Sequence, residues 1–122
     1  MSGKRILVVD DSRSVREQLD ATLSHAGYEI VEAENGLEGR KKILSDGSIV
    51  LVISDVHMPH MNGIEMLESI HEQIEAGLIV LMLTTEGHPA MLKKAKAAGA
   101  KGWLVKPFKA DQIVATVNKL VS

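Results

Sequence analysis

Five short apolar runs, separated by helical stretches, constrain the fold of this chain more than any other feature of its sequence. They cover, in order, residues 5–9, 29–33, 49–54, 78–83 and 102–105. The runs are short and rich in β-branched residues, and the segments between them place apolar residues at helical spacing, which is typical of a parallel sheet. The sequence therefore predicts an α/β fold in which right-handed crossovers place helices on both faces of the sheet.

The segments between the runs predict five helices. We place them at about 14–25, in a short stretch ending near 45, and at about 63–73, 90–98 and 110–121. A capping box of Ser14 and Glu17 should begin the first helix, and Gly27 stands where a helix C-terminal glycine belongs. The second run mixes acidic with apolar residues, which suits a sheet edge. We expect one domain over residues 1–122, with no output domain.

Composition excludes several classes of function. The chain has 122 residues, a formal net charge of −2 and no cysteine. Disulfides, zinc–thiolate sites and thiol catalysis are therefore excluded. No apolar stretch approaches the roughly 20 residues of a membrane span. We expect a cytoplasmic, monomeric protein that binds neither membranes nor nucleic acid.

Residues suited to phosphoryl chemistry follow four of the five runs. Asp10 and Asp11 follow the first run, Asp55 the third, Thr84 the fourth and Lys106 the fifth. Because all strands of a parallel sheet point the same way, these side chains should converge at one edge of the sheet. Each residue alone has a plainer interpretation, as a turn residue, a helix cap or a solvated lysine. Their joint order along the chain is what indicates a site.

Three neighbouring carboxylates repel one another, and a hard divalent cation with oxygen ligands relieves that repulsion. Together with Lys106, the three carboxylates carry a formal charge of −2, which one Mg²⁺ ion neutralises. We take Asp55, on a middle strand, as the nucleophile that forms an acyl phosphate. Lys106 would neutralise phosphoryl oxygens, and the Thr84 hydroxyl would donate a hydrogen bond to one of them.

The chain resembles a response-regulator receiver domain, specifically the single-domain chemotaxis type represented by CheY. The likeness covers the whole chain and rests on Asp10-Asp11, Asp55, Met58-Pro59-x-Met61-x-Gly63, Thr84 and Lys106-Pro107-Phe108. It implies a doubly wound, flavodoxin-like (βα)5 fold with strand order 2-1-3-4-5, and a site between strands one and three. It also implies a signalling switch phosphorylated by a histidine kinase, which catalyses only its own phosphorylation and dephosphorylation.

The same resemblance implies a ligand set for Mg²⁺. Asp11, Asp55 and the backbone carbonyl of His57 would bind the ion directly, and Asp10 would bind it through water. The Lys106-Pro107 peptide bond would be cis, which helps to aim the lysine.

A switch and a partner surface are implied as well. Trp103 matches an aromatic position that turns inward when the Thr84 hydroxyl is drawn to the phosphoryl group; the alternative is that Trp103 only shields the sheet edge. Residues 90–122 carry seven lysines and one acid, which predicts a basic surface formed by helix four, strand five and helix five. A solvated, lysine-rich helix is the alternative. The expected partners are a histidine kinase, a downstream target such as a flagellar motor switch component, and a phosphatase.

Several other functions stay open at this point. A flavodoxin-like electron carrier would need aromatic residues around its flavin, and this chain has few. An aspartyl-nucleophile phosphatase would have one residue between its two Asp residues, whereas Asp10 and Asp11 are adjacent. A phosphorelay intermediate and a non-phosphorylated scaffold share the fold. Two departures from the family pattern also lead to expectations. Asn62, where Asp is commoner, should alter only loop charge, and Gly39, where Ala is common, should weaken helix two by up to ~1 kcal/mol.

Overall fold

The chain folds into a five-stranded parallel sheet with helices on both faces. A computed structural model describes residues 4–56, 60–85 and 89–122. The strands are β1 (Arg5–Val9), β2 (Glu29–Ala33), β3 (Ile49–Asp55), β4 (Ile79–Thr84) and β5 (Gly102–Val105). The helices of this described part are α1 (Arg13–His25), α2 (Gly36–Ser45), α3 (Gly63–Ser69), α4 (His71–Glu75), α5 (Pro89–Ala97) and α6 (Ala110–Val121). None of these helices is long and apolar enough to span a bilayer.

The strand order is β2-β1-β3-β4-β5, with all neighbouring strands parallel, so the predicted doubly wound topology is confirmed. The order reverses direction between β1 and β3, and their carboxyl ends therefore flank the crevice where ligands bind in such sheets. Strand β2 lies at one edge, as its mixed composition predicts, and β5 lies at the other.

Side-chain alternation divides the core into two layers. On one face of the sheet, Leu7 and Val9 belong to an apolar cluster with residues of α2, α3 and α5. On the other face, Ile6 and Val8 belong to a cluster with residues of α1 and α6. These four residues of β1 have no exposed surface. A central strand buried on both faces explains why the run is continuously apolar.

The predicted third helix is interrupted, so the continuous helix 63–73 is wrong. Helix α3 ends at Ser69 and α4 begins at His71, because Ile70 departs from helical geometry (φ −113°, ψ 26°). No proline or glycine marks the break in the sequence. Ile70 is fully buried, so we attribute the bend to the packing of this side chain rather than to local helix propensity. The predicted helices four and five are consequently α5 and α6.

The start of α1 also differs from the prediction. Ser12, not Ser14, is the N-cap, and its hydroxyl oxygen accepts a hydrogen bond from the Val15 N–H. Ser14 lies inside the helix, and Glu17 pairs with Arg13 instead of closing a capping box. At the other end, Gly27 has φ 101°, the left-handed conformation predicted for a helix C-terminal glycine.

Asn62 and Gly39 both do more than the sequence indicated. Asn62 caps α3 in a reciprocal capping box with Glu65, a role that an Asp at this position could fill equally well. Gly39 lies where a Cβ atom would be 3.0 Å from Val9 and 3.1 Å from the Met66 sulfur. The missing side chain therefore lets α2 approach β1 and α3 closely.

Candidate functional site: an acidic cluster at the carboxyl edge of the sheet

The polar residues that follow the strands do converge. Asp10 comes directly after β1, and Asp55 is the last residue of β3. With Asp11, each contributes a carboxylate oxygen to a group whose atoms all lie within 4.8 Å of one another. The predicted gathering of three carboxylates is therefore confirmed.

Lys106 joins this acidic group from the end of β5. Its Nζ donates a hydrogen bond to Asp10 Oδ2 over 2.7 Å and lies 3.4 Å from Asp55 Oδ2. The Lys106 backbone N–H donates to the Thr84 carbonyl at 2.7 Å, and the Lys106-Pro107 bond is cis, as predicted. One ammonium thus lies between two carboxylates from different strands.

The three carboxylates differ in environment. Asp10 has no exposed surface, and its Oδ1 accepts a hydrogen bond from the Ser12 N–H at 2.9 Å. The Asp55 side chain is 12% exposed, whereas Asp11 is exposed to solvent. Both oxygens of Asp10 therefore already have protein donors, while Asp11 faces outward.

Burial and like charge perturb this site. Burial raises the pKa of Asp55, and the neighbouring Asp10 carboxylate raises it further, although Lys106 and the Val56 N–H act in the opposite direction. Burial also disfavours the Lys106 ammonium, but its hydrogen bond and attraction to Asp10 outweigh this effect, so the pKa of Lys106 is raised. The cluster thus retains more negative charge than one ammonium offsets.

The donor set fits a hard divalent cation. It consists of carboxylate oxygens, the ligands that Mg²⁺ prefers, and its formal charge with Lys106 is −2. The backbone carbonyl of His57, expected as a further ligand, lies outside the described residues, as does Met58-Pro59 of the motif.

The two expected switch residues lie on neighbouring strands, two positions apart in register. Thr84 is the last residue of β4, is 4% exposed and pairs in register with Val105. Trp103 lies on β5, opposite Met82, and is 44% exposed. Its indole therefore points outward in this structure, beside the exposed Val105.

Sequence reasoning missed one residue at this site. The Arg16 guanidinium donates from Nη1 to the Asp10 backbone carbonyl at 2.7 Å and from Nε to Glu32 at 3.1 Å. A signal was present, because Arg16, Leu19 and Leu23 follow the i, i+3, i+7 spacing of a buried stripe. A cation on that stripe needs a buried partner.

Comparisons with known proteins agree with this geometry. Residues 6–118 match the family model described as the response regulator receiver domain. The chain is 40% identical to the chemotaxis protein CheY of Bacillus subtilis and 37% identical to that of Thermotoga maritima, each over 97% of this chain and 98% of the relative. The structure superposes on that of Vibrio cholerae CheY4 with a TM-score of 0.90 at 39% identity, covering 97% of this chain and 98% of the other. The chain therefore belongs to the response-regulator receiver domains, the phosphoacceptor switches of two-component signalling.

Proposed function

We propose that this protein is a chemotaxis signalling switch in which Asp55 accepts a phosphoryl group from a phosphohistidine of a histidine kinase. The observation that carries the proposal is the position of Lys106, whose ammonium lies 2.7 Å from Asp10 and 3.4 Å from Asp55 within the acidic cluster. A buried cation beside an excess of carboxylates is suited to phosphoryl oxygens. The relatives with matching sequence over nearly their whole length are named chemotaxis proteins.

The transfer requires little covalent chemistry from the protein. A carboxylate oxygen of Asp55 forms a bond to phosphorus as the bond from phosphorus to the histidine nitrogen breaks, and the imidazole keeps the electron pair. Lys106 stabilises charge on the phosphoryl oxygens, and the Thr84 hydroxyl donates a hydrogen bond to one of them. Hydrolysis by water returns Asp55 to its carboxylate, so the protein acts only on itself.

Mg²⁺ is the proposed cofactor. Asp11, Asp55 and the His57 carbonyl would bind it directly, and Asp10 would bind it through water, in agreement with the protein donors that already occupy both Asp10 oxygens. When bound, the ion supplies positive charge that offsets the charge of the transferring phosphoryl group. The protein's own share is to hold the carboxylates close together and Lys106 opposite them.

The output follows from a local change of charge. Phosphorylation replaces one negative charge on Asp55 with about two. Thr84 is then drawn toward the phosphoryl group, and Trp103 turns inward from its exposed position. The basic surface of α5, β5 and α6 changes shape and binds a target such as a flagellar motor switch component. We propose a cytoplasmic monomer that a separate phosphatase resets.

Acetyl phosphate with Mg²⁺ tests this function directly. Intact-mass spectra should show an adduct of roughly 80 daltons, one HPO₃ group, on the wild-type protein. Asp55→Asn should show none, whereas the matched control Asp46→Asn, at the opposite end of the sheet, should be modified like the wild type. Trp103 fluorescence should respond to the phosphodonor only in the modified proteins. No adduct on the wild-type protein would leave a non-phosphorylated scaffold as the better account.

A further inference from the structure

We propose that Arg16 is a positioning residue that holds the Asp10–Asp11 peptide in place and thereby sets the affinity of the acidic cluster for Mg²⁺. The inference rests on the proposed function, since it assumes that this cluster binds the ion. Arg16 touches none of the three carboxylates in this role. It acts on the backbone that carries two of them.

The guanidinium connects three elements of the fold. Arg16 lies on α1, and its Nη1 donates to the Asp10 carbonyl just after β1 at 2.7 Å. Its Nε donates to the Glu32 carboxylate of β2 at 3.1 Å. The Arg16 side chain is only 14% exposed and Asp10 is fully buried, so the bond between them forms in a place that is shielded from water and where hydrogen bonds from a charged donor are strong. The Glu32 side chain is 35% exposed.

Glu32 is itself held in place. Its backbone carbonyl accepts a hydrogen bond from the Lys42 ammonium of α2, on the other side of the sheet. Its side chain lies toward α1, because the neighbouring Val31 and Ala33 pack with the α2 cluster and strand side chains alternate. The end of the edge strand β2 is thus held from both faces, and Arg16 pairs with a side chain whose backbone is anchored.

This arrangement matters most for Asp11. The Asp10 carbonyl belongs to the planar peptide unit that leads into Asp11, so fixing that carbonyl restricts the rotation of the unit. Within residues 4–56, 60–85 and 89–122, the structure shows no hydrogen bond to the exposed Asp11 carboxylate. The direction of that carboxylate therefore depends on its backbone.

The charge of Arg16 and its positioning role predict opposite changes in Mg²⁺ affinity when Arg16 is replaced, which makes the inference testable. Removing a cation near an acidic cluster should, by Coulomb attraction alone, tighten the binding of another cation. Loss of a residue that orients metal ligands typically weakens metal affinity by about 10–100-fold. We expect Arg16→Gln to bind Mg²⁺ at least about tenfold more weakly than the wild type in calorimetric titrations with the metal alone.

Arg13 offers a matched control on the same helix. It lies one turn before Arg16, pairs with Glu17 at 2.9 Å and is 84% exposed. Arg13→Gln removes the same charge without removing a bond to the Asp10 backbone, so its Mg²⁺ affinity should stay within about twofold of the wild type. Arg16→Lys keeps the charge but not the planar fork and should also bind Mg²⁺ more weakly. It serves in place of Arg16→Gln if that variant fails to fold in a urea titration.

A second measurement separates positioning of the ion site from general damage. At saturating Mg²⁺, acetyl phosphate should modify the Arg16 variants at a rate close to that of the wild type. A rate that stays low would overturn the inference, as would Arg16 variants that bind Mg²⁺ as tightly as the wild type or more tightly. A wild-type protein that binds no Mg²⁺ would instead overturn the proposed function, and the inference with it.

Discussion

At each end of the sheet, one cation lies between two carboxylates, with opposite consequences at the two ends. At the carboxyl end, Lys106 lies between Asp10 and Asp55. At the amino end, Arg5 lies between Glu29 and Asp46. Each end therefore has one cation between two carboxylates. What differs is burial and the number of hydrogen-bond donors.

At the amino end, the carboxylates are solvated and well supplied with donors. The Ser48 hydroxyl and the Arg5 guanidinium, with the Ser48 N–H, lower the pKa of Asp46 to about 2. At the carboxyl end, burial and the neighbouring Asp10 raise the pKa of Asp55. One end therefore stabilises its ionised groups and contributes to the fold, whereas the other holds an ionised carboxylate at a cost that a bound cation or a phosphoryl group can relieve.

The largest expected difference is in the stability lost when Lys106 or Arg5, the cation between two carboxylates at each end, is replaced. Lys106→Met should lower the unfolding free energy by up to about 3 kcal/mol at pH 7, because it leaves two buried carboxylates uncompensated. Arg5→Met should cost clearly less, because water screens the charges at its end. Urea unfolding of both variants at pH 7 without Mg²⁺ provides the measurement. Equal losses would show that burial does not distinguish the two ends.

Mg²⁺ should stabilise the protein through one end only. At a free concentration ten times its dissociation constant, the ion should raise the unfolding free energy by about 1.4 kcal/mol. Asp11→Asn should lose most of this increase, and Asp46→Asn should keep all of it. The same urea titrations with and without the ion measure the effect. An increase that Asp46→Asn abolishes would place the ion at the wrong end of the sheet.

Neutralising one carboxylate at each end should change stability in opposite directions. Asp55→Asn should raise the unfolding free energy at pH 7 without Mg²⁺ by about 1 kcal/mol, because it removes a buried charge that Asp10 repels. Asp46→Asn should lower it, because it weakens the bonds from Arg5 and Ser48. Thermal unfolding midpoints without Mg²⁺ give the sign directly. Two changes of the same sign would contradict the comparison.

The smallest expected effect is the pH dependence of the stability changes caused by Asp55→Asn and Asp46→Asn. Asp46 has a folded pKa of about 2, below its ordinary value of 3.8, so its stabilising contribution is present above pH 4 and is lost as the pH falls toward 2. Asp55 has a raised folded pKa, so its ionisation reduces stability as the pH rises through that value. The advantage of Asp55→Asn over the wild type should therefore shrink on acidification to pH 4, whereas the deficit of Asp46→Asn should shrink only below pH 4. Unfolding titrations from pH 7 to pH 2.5 measure both.

Sequence reasoning succeeded where the signal is local and repeated. The apolar runs gave the strand positions, with β1, β2 and β5 at the predicted residues and β3 and β4 within one residue. The polar residues after those runs indicated the carboxylate cluster, since parallel strands share one carboxyl edge. The strand order itself came from the family resemblance.

Sequence reasoning failed where contacts made by the fold determine the local structure. The bend at Ile70 has no local signal, because it accompanies complete burial of a side chain against the sheet. Gly39 lacks a side chain where a Cβ atom would crowd Val9 and Met66, which lie 30 residues before it and 27 after it. Arg16 was missed because its partners, the Asp10 carbonyl just after β1 and Glu32 of β2, are brought together only by the fold.

The class of fold and the types of side chain gathered at one edge of the sheet could be inferred from the amino-acid sequence, because apolar runs and the helical segments between them are local patterns. Which of these charged groups are buried and which are solvated became clear only from the folded chain. One cation between two carboxylates lowers the pKa of Asp46 at the amino end, whereas burial raises the pKa of Asp55 at the carboxyl end. Burial sets the cost of an ionised group, and burial depends on the packing of the whole chain.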